Sequence, residues 1–134
     1  MQELLNRFAP LPEVRSATAI MNIKEELLKL CLDGDFDQAK QLLSDSRGIV
    51  DINHDDGNLI YMAVKTGKLE AVKFLVENGV DFHIGNECPL QVAGGWGHED
   101  IVDYLLSKGA NPKVMLYTSA YGDSKIKAVV DKYL

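Results

Sequence analysis

Three stretches of the chain line up on a shared glycine, and this internal repeat narrows the possible folds more than any other feature of the sequence. The stretches are LLKLCLDGDFDQAKQLLSDS, IYMAVKTGKLEAVKFLVENG and LQVAGGWGHEDIVDYLLSKG, aligned on Gly34, Gly67 and Gly97. Four residues before the glycine stand Leu30, Ala63 and Ala93, and three before it Cys31, Val64 and Gly94. Eight and nine residues after it come Leu42-Leu43, Leu75-Val76 and Leu105-Leu106, and twelve after it Ser46, Gly79 and Gly109. The three glycines are 33 and 30 residues apart. A period of that size means one small supersecondary unit used repeatedly, each leaving an apolar face that a neighbour must cover.

Within a unit the apolar residues fall at helical spacing. Ile60, Ala63 and Val64 share one stripe before Gly67, and Val72, Leu75 and Val76 share another after it. The pattern predicts two short helices per unit, turned tightly at the shared glycine. Asn22 with Glu25, and Asp35 with Gln38, are candidate capping pairs that open helices. Pro89 suits a first helical turn, where its missing N–H has no partner to lose. Asn78-Gly79 and Lys108-Gly109 are stop signals, with glycine free to turn left-handed. A fourth unit follows: Asn111 caps and Pro112 starts a helix at once, Gly122 takes the turn position, and SKIKAVVDKYL forms a closing helix.

Composition removes several classes of function. With 134 residues the chain is one domain long, and 46% hydrophobic with 25% charged residues is ordinary for a folded protein in water. Net charge is −6, with no basic run to neutralise phosphates, so nucleic acid is a poor ligand; a basic or mixed protein surface suits this charge better. The first twenty residues lack the basic start and apolar stretch of a secretory signal, and no apolar run reaches the roughly 18 residues of a membrane span. A cytoplasmic setting is the expectation. Cys31 and Cys88 lie 57 residues apart and form neither a zinc cluster nor a C-x-x-C pair, so they read as reduced thiols.

No glycine-rich or acidic stretch completes a site motif. AGGWGH, residues 93–98, lacks the last glycine of a dinucleotide fingerprint, where Asp100 stands. Around Gly67-Lys68 a phosphate loop fails at Met62 and Leu69. DINHDDGNLIYM begins like a calcium loop, but Asp56 and Met62 stand where glycine and a bidentate glutamate belong, so it reads as a solvated turn. His98, with Val102 four residues on, lacks the paired histidine of a helical zinc site and instead suits a backbone hydrogen bond across the repeat turn. His54 and His83 have no ligand-type partner at useful spacing, and no serine or cysteine sits in a nucleophile motif. No catalytic residue, metal or cofactor is expected.

The residues resemble the ankyrin repeats, whose pattern runs T-P-L-H-x-A-A-x-x-G-H and then an apolar helix ending L-L-x-x-G-A-D. CPLQVAGGWGHEDIVDYLLSKGAN matches best, through Pro89, Leu90, Ala93, Gly97, His98, Leu105, Leu106, Gly109 and Ala110. The resemblance covers about residues 23–110 and implies an all-α solenoid of stacked helix-turn-helix units. The fingers between units come up three residues short, like those in ankyrin proteins of large viruses and host-associated bacteria, which adds a host cytoplasm to the settings. The expected division is an N-terminal arm or cap at 1–22, units at about 23–53, 54–83 and 84–111, and a C-terminal cap at 112–134. The arm either covers the first repeat or docks elsewhere; the sequence leaves both open.

The resemblance also implies a function: binding a protein across the concave groove. The family's contact positions map onto Asp55, Asp56, Lys65 and Thr66 in the second unit, Asn86, Glu87, Gly95 and Trp96 in the third, and Ala120 and Tyr121 in the fourth. Trp96 and Tyr121 are expected as aromatic anchors, with Asp55, Asp56 and Glu87 as an acidic rim. The competing reading of Trp96 is a ring folded into the core. A second expectation is an inhibitor or immunity-type protein that neutralises one basic enzyme by occluding its site. Oligomeric state is left open.

Overall fold

The computed structural model describes residues 17–46, 53 and 58–134, with side chains from residue 22 onward. The described elements are helices, and no strand occurs among them. The chain divides into two compact units, residues 1–55 and 56–134.

In the first unit α1 (Ala17–Asp33) pairs with α2 (Phe36–Asp45). Ile23, Leu27, Leu30 and Cys31 recur at helical spacing along α1 and are buried, as are Ala39 and Leu42 of α2. Each fully buried aliphatic side chain stabilises by about 1.5–3 kcal/mol relative to exposure. The turn between them closes at Gly34, where φ is +81°, a left-handed value that glycine adopts without a Cβ penalty. Asp35 caps α2 by accepting the Gln38 N–H at 3.3 Å, as its spacing predicts. The other predicted capping pair is corrected: α1 begins upstream, so Asn22 and Glu25 lie inside the helix. Ser46 ends α2 by donating its hydroxyl to the Leu42 carbonyl at 2.7 Å.

The second unit contains α3 (Asn58–Lys65), α4 (Leu69–Glu77), α5 (Ile84–Gly95), α6 (Glu99–Ser107), two 3-10 segments (Pro112–Tyr117 and Ser119–Gly122) and α7 (Ser124–Asp131). The inner helices α3 and α5 pack on each other, the outer helices α4 and α6 do likewise, and α7 closes against α6. Leu59, Ile60, Ala63 and Val64 meet Leu90 and Ala93 in this core, together with Val72, Leu75, Ile101, Val102 and Leu105. A helix pair alone could not bury such a stripe, so packing onto a neighbour stabilises it.

The repeat in sequence proves to be one hydrogen-bonded turn used again. Asp35, Lys68 and His98 each donate their N–H to the carbonyl five residues back, on Leu30, Ala63 and Ala93, at 2.9, 3.1 and 2.9 Å. Gly67 and Gly97 carry the left-handed φ that this closure needs, +74° and +75°. The outer helices end the same way, through Val80 to Leu75 and Ala110 to Leu105, each at 3.0 Å, with Gly79 and Gly109 left-handed as expected.

The fourth unit departs from expectation. Asn111 does cap, accepting the Lys113 N–H at 3.0 Å, but the segment it opens is a 3-10 helix that breaks at Thr118. Gly122 ends the second 3-10 segment without a left-handed φ, and Asp123 instead caps α7 by accepting the N–H groups of Lys125 and Ile126.

Candidate partner-binding face

The tip between α4 and α5 is short because the backbone turns left-handed for three residues in succession. Gly85, Asn86 and Glu87 have φ of 62°, 58° and 64°, and right-handed helix resumes at Cys88. Pro89 therefore sits in the first right-handed turn, where the sequence placed it. For a residue with a Cβ this conformation costs about 1–2 kcal/mol, so contacts must hold it. Glu87 supplies them. Both its carboxylate oxygens lie 2.9 Å from His83 Nδ1, and Oε2 accepts the Asn111 N–H at 3.0 Å. Glu87 is only 8% exposed. The expected acidic rim residue is thus an internal strut, and His83, expected to lack a partner, has one four residues on.

Below the tip, α3 and α5 present an open face. Trp96, the chain's one tryptophan, is 58% exposed, and Tyr61 is 37% exposed. The Lys65 ammonium lies 5.8 Å from the Trp96 ring centroid and 5.9 Å from that of Tyr61, within cation–π range of both. Thr66 is exposed and returns its hydroxyl to the Met62 carbonyl at 2.8 Å. Gly95 is exposed and has no neighbour near its missing Cβ, whereas the adjacent Gly94 is buried against Met115 and Ala120. Sequence reasoning missed Tyr61. The available signal was its position four residues before Lys65 on a helix, which puts both on one face.

Beside α5 lies a groove of about 310 Å³ lined by Asn86, Gln91, Asn111, Lys113, Val114, Tyr117 and Thr118. Tyr117 is 91% exposed. It too escaped the sequence reading, which chose Tyr121. That residue is half-buried and tied into the closing helix: its hydroxyl donates to Asp131 at 2.6 Å, and the Lys127 ammonium sits 5.2 Å from its ring. Ala120 faces Gly94 across the packed interior. Asp55 and Asp56 lie outside the described residues, as do His54 and the rest of 51–57 except Asn53.

His98 makes the bond its position suggested. Its Nε2–H donates to the Lys65 carbonyl at 3.2 Å, and its ring fills the space over Gly67, where a Cβ would come within 2.7 Å of Cε1. One turn is thereby fastened to the next. Neither cysteine is in a disulfide. Burial pushes the Cys31 thiol up to about 12, so it stays protonated at neutral pH and is no nucleophile. Among the described residues no three His, Cys, Asp or Glu side chains converge as metal ligands, and no helix is long and apolar enough to cross a membrane.

Residues 27–115 match the family model for ankyrin repeats, in three copies. The chain belongs to the ankyrin-repeat family, as its motifs implied. It is 33% identical over 113 residues to mouse protein phosphatase 1 regulatory subunit 27, covering 78% of this chain and 73% of that protein. It is 38% identical over 58 residues to the putative ankyrin repeat protein L72 of Acanthamoeba polyphaga mimivirus, 43% of this chain and 15% of that one. Palmitoyltransferase AKR1 of Lachancea kluyveri is 31% identical over 93 residues, 63% of this chain but only 12% of that much longer protein. Ankyrin repeats generally mediate protein–protein interaction.

Proposed function

We propose that this chain is a non-catalytic module that binds a protein partner on the face of α3 and α5 and along the groove beside them. The observation that carries the reading is Trp96, a large indole left 58% exposed next to Tyr61 and Lys65. Solvent-exposed aromatics grouped with a cation are a common form of interface anchor. Lys65, Thr66, Asn86, Gly95 and Trp96 form the contact set, widened by Tyr61 and Tyr117. Asp55 and Asp56 remain proposed contacts on their family positions, and a cytoplasmic setting remains part of the proposal.

Replacing Trp96 with alanine tests the reading. Partners captured with the wild-type chain should be lost, with about 2 kcal/mol or more removed from affinity in a calorimetric titration. Far-UV circular dichroism should be unchanged. An unfolded variant would place Trp96 in the core and remove the anchor.

A second reading is favoured by the relative named as a regulatory subunit of protein phosphatase 1, most of whose length is matched. By analogy the chain docks on one enzyme and covers its site. A single stoichiometric enzyme partner supports that version, and several looser partners support a general scaffold.

A further inference from the structure

Trp96 caps the end of α5 with a glycine on either side, Gly95 and Gly97. Its immediate neighbours in the chain therefore give the indole no side chain to rest on. A ring 58% exposed at such a place turns about its side-chain torsions unless another element holds it. An anchor that turns freely must give up that freedom when a partner arrives, which lowers affinity.

The preceding repeat supplies the holding group. Lys65 is the last residue of α3, and its ammonium lies 5.8 Å from the Trp96 ring centroid and 5.9 Å from that of Tyr61, four residues back on its own helix. Both distances fall within the roughly 6 Å over which a ring attracts a cation. The root of the lysine is fixed independently, because its carbonyl accepts the Nε2–H of His98 at 3.2 Å. His98 stands two residues beyond Trp96, so the contacts close a cycle. It runs along the chain from Trp96 to His98, across to the Lys65 backbone, and through the Lys65 side chain back to the indole.

We infer that Lys65 is a positioning residue for Trp96: it holds the indole in one orientation in the free protein, with the ammonium over the ring and the rest of the indole left for the partner. This rests on the reading of this face as the binding surface, and it gives Lys65 a role apart from the direct contact that its family position implies. The lysine acts through the ring it holds, by removing in advance part of the ordering that binding requires. An exposed cation–π pair accounts for about a twofold to fivefold gain in affinity. Tyr61 shares the ammonium and so limits where it can swing.

The test is the indole N–H signal of Trp96, which a chain with one tryptophan gives singly. In the free full chain its NMR order parameter should fall in Lys65→Gln, from near the rigid value of about 0.85 towards the flexible value of about 0.6. Lys65→Arg, which keeps a cation that stacks on rings, should restore it. Helical circular dichroism should be the same in all three chains, so that the signal reports the ring rather than the fold. Linear peptides selected on the wild-type chain from a random displayed library supply the binding probe. Those that Trp96→Ala loses should bind Lys65→Gln about two- to fivefold more weakly and Lys65→Arg normally. An unchanged order parameter in Lys65→Gln overturns the inference, and a fall in affinity alongside it would mean that the lysine touches the partner itself. A lower order parameter with unchanged affinity overturns it as well, since holding the ring would then do nothing for binding. Selection that enriches no peptide, or only peptides indifferent to Trp96→Ala, would overturn the binding face itself, whatever the order parameter shows.

Discussion

Gly94 and Gly95 are neighbours on one helix, and their surroundings give the same substitution opposite signs. A Cβ on Gly95 would meet nothing within 4 Å, and its backbone is helical. Gly95→Ala should therefore stabilise the protein by about 0.5–1 kcal/mol, because alanine loses less conformational freedom on folding. A Cβ on Gly94 would press on the buried Met115 methyl and lie 3.2 Å from Ala120 Cβ. Met115 is fully buried, so its methyl group has little room to yield. Gly94→Ala should lower stability by about 1 kcal/mol or more, the range of an overpacked core. Urea melts of the two variants compare them directly. The sequence distinguished these glycines through the repeat register alone, which put one at the family's small-residue position and the other at a contact position.

The element that sequence reasoning read least well is the tip between α4 and α5. Three consecutive left-handed residues break both helical and strand periodicity, and only Gly85 advertises the conformation. What holds it is a contact between Glu87 and the Asn111 N–H, 24 residues away in sequence, which no local pattern encodes. Glu87→Ala should cost about 1–3 kcal/mol, because it leaves the Asn111 N–H without its acceptor. Glu87→Gln, which keeps an oxygen there, should lose less, and the gap between the two melting temperatures measures the strut. Turns were the opposite case. Gly34, Gly67, Gly97, Gly79 and Gly109 all adopt the left-handed φ their positions called for, since each turn is set by a few adjacent residues. Asn22 misled for the same local reason: it resembles a cap, but apolar periodicity carries α1 past it. In the fourth unit the cap at Asn111 was legible, while the choice of 3-10 over α-helix was not.

Across the second unit as a whole, α7 is fastened to α6 through an exposed polar cluster as well as through Ile126 and Val130. Tyr133 donates its hydroxyl to Asp103 at 2.8 Å, and the Lys132 ammonium lies 3.2 Å from the same carboxylate. The Tyr133 hydrogen bond first, and then Lys132, hold the Asp103 carboxyl below the usual aspartate value. A depressed carboxyl stabilises the fold above its unfolded value, about 3.9, and loses that contribution as pH falls through the folded one. Exchange protection in α7, taken relative to the intrinsic amide rate at each pH, should therefore fall on acidification below about pH 4, and Asp103→Asn should flatten that dependence. Equal acid sensitivity in the variant would place the fastening entirely in the apolar contacts. The stacked helix pairs were legible in the chain because the repeat states the same packing several times over. The clamp was not, because Asp103 and Tyr133 meet only after α6 and α7 have packed.

The exposed indole has a practical corollary. Since Trp96 is the chain's sole tryptophan, light absorbed selectively by indole is emitted from one known spot, beside Lys65 and Tyr61. Water reaches that ring in the free protein. Anything that settles over it and drives the water away should shift the emission to the blue, so occupancy can be followed optically without attaching a dye.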